Sequence, residues 1–234
     1  MASINLKHTS GNGTILNSPA ANPSSDITLK LPSTTGSAGQ VLKVASANHS
    51  STNAELEFSA DAGGKILHVV YFNKTDSSSL NMTETFQDVS GFSLSITPTA
   101  ASSKIILQGQ INYSCQDHYS YGKFVRSING GSYADVTNWI GDAASARIRS
   151  MTGNQQAHTS YVQVGIPIYA VDTPSYSLGN AITYKLQFRG SFNHLGIYGY
   201  FNRSETDSDN NNGSRAVSHL TLMEVAAGSP TLII

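Results

Sequence analysis

Between residues 92 and 113 apolar and small polar side chains alternate with a period of two, and nothing else in the sequence constrains the fold as strongly. Phe92-Ser93-Leu94-Ser95-Ile96-Thr97 runs until Pro98 stops it. Lys104 to Tyr113 sets Ile105, Leu107, Gly109, Ile111 and Tyr113 on one face, with Lys104, Gln108, Gln110 and Asn112 on the other. Such a period sends successive side chains to opposite faces of a strand, so both stretches read as half-buried β-strands. Ile66 to Phe72 is a compact apolar run that predicts a buried strand. Phe124 to Ile128, then Asn129-Gly130-Gly131, then Ser132 to Val136 predicts a hairpin, because Asn and Gly tolerate the positive φ of its turn. Tyr161 to Ile168 is a further strand, and its Pro167 points to an edge or an irregular end. Thr183 to Arg189, with Tyr184, Leu186 and Phe188 inward, and Val217 to Val225 bring the number to about eight strands, with no convincing helix longer than two turns. The expected architecture is an all-β sandwich. A jelly roll is preferred to an immunoglobulin type, whose Cys and Trp framework is missing.

Only 12% of residues are charged, yet 39% are hydrophobic, enough for a real core. Fourteen basic and fifteen acidic residues leave a net charge of -1, and neither sign is concentrated anywhere. Phosphate neutralisation needs a basic face, so nucleic-acid binding is not expected. The Ile66 to Phe72 run, interrupted at His68, is far shorter than the roughly 20 residues of a membrane span, and no membrane insertion is expected. The N-terminus lacks the regions of a secretory signal, so synthesis in a cytosol is expected. In that setting triplets such as Asn81-Met82-Thr83 and Asn202-Arg203-Ser204 are composition and not glycan acceptors. Cys115 is the one cysteine, cannot form an internal disulfide, and reads as a small buried hydrophobe.

Residues 1–64 differ from the rest. They contain no Tyr or Trp and one Phe, Phe58, and show short apolar beats: Ile4 and Leu6, Ile15 and Leu16, Ile27, Leu29 and Leu31, Val41, Leu42 and Val44, Leu56 and Phe58. Turn clusters such as Gly11-Asn12-Gly13 and Asn22-Pro23-Ser24-Ser25 separate them. So few large apolar groups cannot build a core, and order in this segment is expected only against partner chains.

Asp26-Ile-Thr-Leu-Lys-Leu-Pro-Ser-Thr-Thr-Gly-Ser-Ala-Gly-Gln-Val-Leu-Lys43 resembles the shaft or collar repeat that precedes the heads of tailed-bacteriophage fibres, marine ones especially. The stretch from Thr85 to Leu107, Thr183-Tyr-Lys-Leu-Gln-Phe-Arg189 and Ser218-His-Leu-Thr-Leu-Met-Glu-Val225 are similar to the two halves of the compact head domain of such fibres. The resemblance implies a homotrimeric virion protein made in the host cytoplasm. Residues 1–33 would attach it to other virion proteins, with Ile4, Leu6, Ile15, Leu16, Ile27 and Leu29 as docking candidates. Residues 34–64 would form a neck, 65–226 a jelly-roll knob and 227–234 a C-terminal tail, tucked into a neighbour or loose. The chain is short for a long tail fibre, so a short spike or a head fibre fits equally. The alternative is a non-adhesive protein that decorates the capsid or a vertex.

The motifs of common enzyme chemistry are missing. No nucleophile elbow, zinc-protease helix, paired-cysteine motif, phosphate loop or dinucleotide fingerprint occurs. Asp207-Ser-Asp-Asn-Asn-Asn-Gly213 alternates acids before a glycine, but Asn212 and Ser218 stand where a calcium loop needs Gly and Glu. The seven histidines lack ligand spacing. No enzyme, cofactor or metal is therefore expected. Aromatic density stands out instead, in one cluster of Tyr113, His118, Tyr119 and Tyr121 and another of Phe192, His194, Tyr198, Tyr200 and Phe201, with Tyr133 and Trp139 between them. Aromatics with polar tips suit contact with sugars or proteins. Tyr119, Tyr121, Trp139 and His194 are the candidates for touching a host-surface glycan or protein. Tyr113, Tyr198 and Phe201 are expected to fill the core or a trimer interface.

Overall fold

The computed structural model describes residues 3–7, 13–17, 27–50, 53–60, 65–116, 119–153, 160–191 and 196–227. They divide into two units, Met1–Gly63 and Gly64–Ile234.

In the N-terminal unit β1 (Ser3–Lys7) and β2 (Gly13–Asn17) form an antiparallel hairpin with Ile4 opposite Leu16. A second sheet has the order β3-β5-β4, from β3 (Thr28–Lys30), β4 (Gln40–His49) and β5 (Asn53–Ala60), with β3 parallel and β4 antiparallel to β5. Of the side chains described in this unit only Ala45 is buried.

The C-terminal unit contains eleven strands among the described residues. They are β6 (Ile66–Lys74), β7 (Ser78–Asn81), β8 (Gln87–Ile96), β9 (Lys104–Cys115), β10 (Ser120–Ile128), β11 (Ala134–Asp135), β12 (Thr152–Gly153), β13 (Val164–Asp172), β14 (Ile182–Gly190), β15 (Tyr198–Phe201) and β16 (Ser218–Val225). One sheet runs β6-β16-β9-β13, and β15 takes over from β16 along the end of β9 and carries β7. The other runs β8-β14-β10-β11, with β12 also on β10. All these pairings are antiparallel. Of the eight principal strands, the first pairs with the last, the last with the third and the third with the sixth. In the facing sheet the second pairs with the seventh, the seventh with the fourth and the fourth with the fifth. This is jelly-roll order, and the eight strands are those that the alternation predicts.

The core lies between the sheets. Val89, Phe92, Leu94 and Ile96 of β8, Phe124 of β10, and Ile182, Tyr184, Leu186 and Phe188 of β14 meet Ile105, Leu107, Ile111 and Tyr113 of β9, Ile166 and Ile168 of β13, and Leu220 and Leu222 of β16. Burying each large apolar side chain contributes roughly 1.5–3 kcal/mol. Phe188 and Phe201 pack edge to face at 5.3 Å. Gly109 occupies an inward register position on β9, where a Cβ would lie 2.0 Å from the His219 carbonyl oxygen, so only glycine lets the two backbones approach. At the predicted hairpin, Asn129 and Gly130 have φ of 51° and 72°, and Ser127 Oγ donates to the Gly131 carbonyl at 2.6 Å.

The structure corrects one expectation of the strands. β6 is an edge strand and is not buried on both faces: Val70 and Phe72 pack on the core, while Leu67, Val69 and Tyr71 point to an uncovered side. Tyr113 and Phe201 are fully buried in the core, and Tyr198 is exposed on the single chain, which leaves it the interface alternative alone. The short strands β7, β12 and β15 carry too little periodicity to be read from sequence. Pro167 does lie on an edge strand, β13, where its missing N–H costs no ladder bond.

Candidate functional site

In the N-terminal unit the apolar beats between Ile27 and Val44 emerge on the surface. Ile27, Leu29 and Leu31 are 51%, 60% and 77% exposed, and Val41, Leu42 and Val44 are exposed beside them in sequence or on β4. Ile4, Leu6, Ile15 and Leu16 lie on the β1–β2 hairpin. The polar contribution to this unit includes an exposed ion pair between Lys43 and Glu57 at 3.6 Å, the kind worth little on its own. Together these described side chains leave an apolar surface uncovered on a small sheet.

The sequence candidates for receptor contact separate in space. Tyr119 is exposed just ahead of β10, and Tyr121 stands half-buried on the outer side of that strand, opposite Arg189 and Gly153 in register. Trp139 does not join them. Its indole is buried at the end of a single 3-10 turn (Thr137–Trp139), stacks on Tyr184 with centroids 5.3 Å apart, and donates Nε1–H to the Val171 carbonyl at 2.9 Å. The expectation of surface contact for Trp139 is therefore corrected, because the ring is part of the core. His194 and His118 lie outside the described residues, as do residues 228–234.

Beside Trp139 a buried network ties the two sheets together. Arg126 Nη1 of β10 donates to both carboxylate oxygens of Asp172 on β13, and the Tyr184 hydroxyl donates to Asp172 Oδ2 at 2.7 Å. Burial, and then the adjacent Asp172 carboxylate, push the Tyr184 hydroxyl far above the ordinary tyrosine range, so it stays a donor. Glu224 of β16 is a second buried acid. It accepts from the Thr99 and Ala100 N–H groups and from the Thr99 and Ser103 hydroxyls, all between 2.8 and 2.9 Å. Burial works against its ionisation, but these four donors outweigh it and hold the carboxyl below the usual glutamate range. A third node fills the place where β9 changes partner: Asn202, at φ 62°, donates to the Lys74 and Asp76 carbonyls and accepts from Ser218. The sequence reading named none of these three. Their signal was available, since Asp172 and Glu224 continue the inward register of otherwise apolar strands.

Several hollows open on the described surface, one of about 310 Å³ beside Ser102, Ser103 and Pro174. A cleft of about 360 Å³ lies between the Trp139 turn and β13, lined by Asn138, Trp139, Met151, Tyr169, Ala170 and Val171. Another, of about 280 Å³, is formed by the loop from Thr206 to Arg215. In that loop Asp207 is held by Arg215 at 2.7 Å and faces Arg203 at 3.8 Å, so its charge is already answered by arginines. Among the described residues no group of three His, Cys, Asp or Glu side chains could hold a metal ion. No helix among them is long and apolar enough to cross a membrane.

The fold and the exposed N-terminal surface together define a class: a jelly-roll sandwich preceded by a small β unit in which Ala45 alone is buried among the described side chains. No family model matches the chain, and no curated protein matches it significantly. Two solved structures of infectious bursal disease virus, of the Gx and Gt strains, overlay on it with TM-scores of 0.34 and 0.35 at 10% and 12% identity. Each match covers 74% of this chain and 40% or 39% of the viral chain, so the protein spans about two fifths of the length of what it matches. At this level of likeness the overlays carry no argument about function.

Proposed function

We propose that this is a virion structural protein of a tailed bacteriophage, a homotrimeric fibre or spike whose N-terminal unit joins partner chains and whose sandwich is an adhesive knob. One observation carries this reading: the N-terminal unit exposes Ile27, Leu29, Leu31, Val41, Leu42 and Val44 and buries only Ala45 among its described side chains. Three chains wound together would bury those beats and satisfy each other's strand edges. Adhesion would arise from several weak contacts acting at once, because linked knobs raise avidity without strong single sites. Tyr119 and Tyr121 are the described aromatics best placed for such contacts.

Two measurements test the proposal on the full chain. Light scattering of the unheated protein is expected to give about 74 kDa, three times the chain's 24.8 kDa. A mass of 24.8 kDa would overturn the trimer. Labelled protein is expected to bind susceptible cells, and Tyr119→Ala with Tyr121→Ala to weaken binding at unchanged mass. If wild-type protein does not bind cells but is incorporated into particles, the non-adhesive decoration role replaces the adhesin.

A further inference from the structure

We infer that the outer face of the β6-β16-β9-β13 sheet is the surface through which copies of this chain pack against one another in the knob. The inference rests on the trimer proposed above and adds where the sandwiches meet.

Register places twelve outward positions on that face in three rows. They are Asn73-His219-Gln110-Pro167, Tyr71-Thr221-Gln108-Tyr169 and Val69-Met223-Ile106-Val171. None is Asp, Glu, Lys or Arg. Tyr71 and Tyr169 are 76% and 69% exposed, and Val69 is 49% exposed. The outer face of the other sheet is different. There Lys185 pairs with Asp88 at 3.1 Å and lies 4.2 Å over the Tyr133 ring, while Lys123 pairs with Asp135 and lies 4.1 Å over Phe86. That face meets its charges internally and presents a polar surface to water.

A second copy of this chain is the occupant that the charge pattern favours. A charged face meeting a copy of the chain needs opposite charge there, whereas a face without Asp, Glu, Lys or Arg packs on a copy without leaving such a charge unpaired. β6 adds to this. It is a nine-residue edge strand without Pro and with three apolar outward side chains, Leu67, Val69 and Tyr71, and its register against β16 shifts only near its start, at Leu67. Four strands about 4.8 Å apart and seven residues long give a footprint of roughly 19 by 23 Å. That is about half of the roughly 800 Å² per partner of a standard interface, so the face acts together with the contacts proposed above for the N-terminal unit.

The test places charge on the face in the full-length protein. Tyr71→Glu combined with Tyr169→Glu is expected to make the species of about 74 kDa, three times 24.8 kDa, dissociate at a lower urea concentration than wild type, with an unchanged far-ultraviolet circular dichroism spectrum in buffer. Lys185→Glu, on the opposite outer face, is expected to leave the dissociation midpoint unchanged. A double variant that dissociates at the wild-type urea concentration overturns the inference and leaves the trimer standing, whereas a wild-type monomer overturns both. Loss of cell binding at an unchanged dissociation midpoint would assign the face to a receptor and also overturn it. Should the double variant fail to fold, maleimide labelling decides. Tyr71→Cys is expected to react at least tenfold more slowly than Ser93→Cys, which is exposed on β8, and equal rates overturn the inference.

Discussion

One nitrogen of Arg126, Nη1, donates to both oxygens of the Asp172 carboxylate, at 2.6 and 2.7 Å, and so bolts β10 of one sheet to β13 of the other. The Asp172 side chain is almost wholly buried while that of Arg126 is a quarter exposed. Removing the arginine leaves an unpaired acid inside the sandwich. Arg126→Ala is expected to destabilise the fold by about 3–5 kcal/mol, measured by urea unfolding. Asp172→Asn keeps an acceptor for Tyr184 and should cost less.

Acid should loosen the turn between β8 and β9. Glu224 is held below the ordinary glutamate value of 4.5 by its donors from Thr99, Ala100 and Ser103. A depressed folded-state value means that its stabilisation is complete above about pH 4.5 and disappears as pH falls through that lower value. Urea midpoints recorded from pH 7 to pH 3 are expected to drop more steeply in wild type than in Glu224→Gln, which is less stable at neutral pH and less sensitive to acid.

Trp139 and Tyr121 should separate stability from adhesion. Trp139→Ala empties a stacked position against Tyr184 and removes one of the two side-chain donors to the Val171 carbonyl, and is expected to cost about 3–5 kcal/mol in thermal or urea unfolding. Tyr121→Ala, on the outer side of β10, is expected to leave the unfolding midpoint nearly unchanged and to reduce binding to susceptible cells.

Gly109 permits no side chain. A methyl group there would meet the His219 carbonyl oxygen at 2.0 Å, and relief requires prising β16 from β9. Gly109→Ala is expected to exceed the roughly 1–3 kcal/mol of ordinary overpacking and to yield insoluble protein, whereas Gly130→Ala, with open space around its Cβ position, costs only its strained φ. Soluble expression of the two variants compares them directly.

The eight principal strands were legible because period-two alternation is a local property, written into each strand by its own residues. What covers a strand's outer side is not local. Ile66 to Phe72 therefore read as a buried run, although β6 is an edge strand with Val69 and Tyr71 uncovered. Trp139 misled for a related reason: as a lone Trp among Asn, Thr and Gly it suggests a surface loop, and only the fold shows Tyr184 beneath it. The weak apolar content of residues 1–64 was legible as a core that could not exist, and Ala45 alone is buried there among the described side chains. Asp172 and Glu224 were overlooked because an acid in an alternating strand was read by its type and not by its register.

The pairing of β6 with β16 has a consequence for biosynthesis. The first strand of the sandwich finds its neighbour only when the last has left the ribosome, so no partial C-terminal unit can close its sheet during translation. The N-terminal unit, complete by residue 63, waits beside an unfinished sandwich. If the chain trimerises as proposed, nascent chains on one message have time to meet through the exposed Leu29, Leu31 and Leu42 before any sandwich locks shut, an order of events that would favour partners born together.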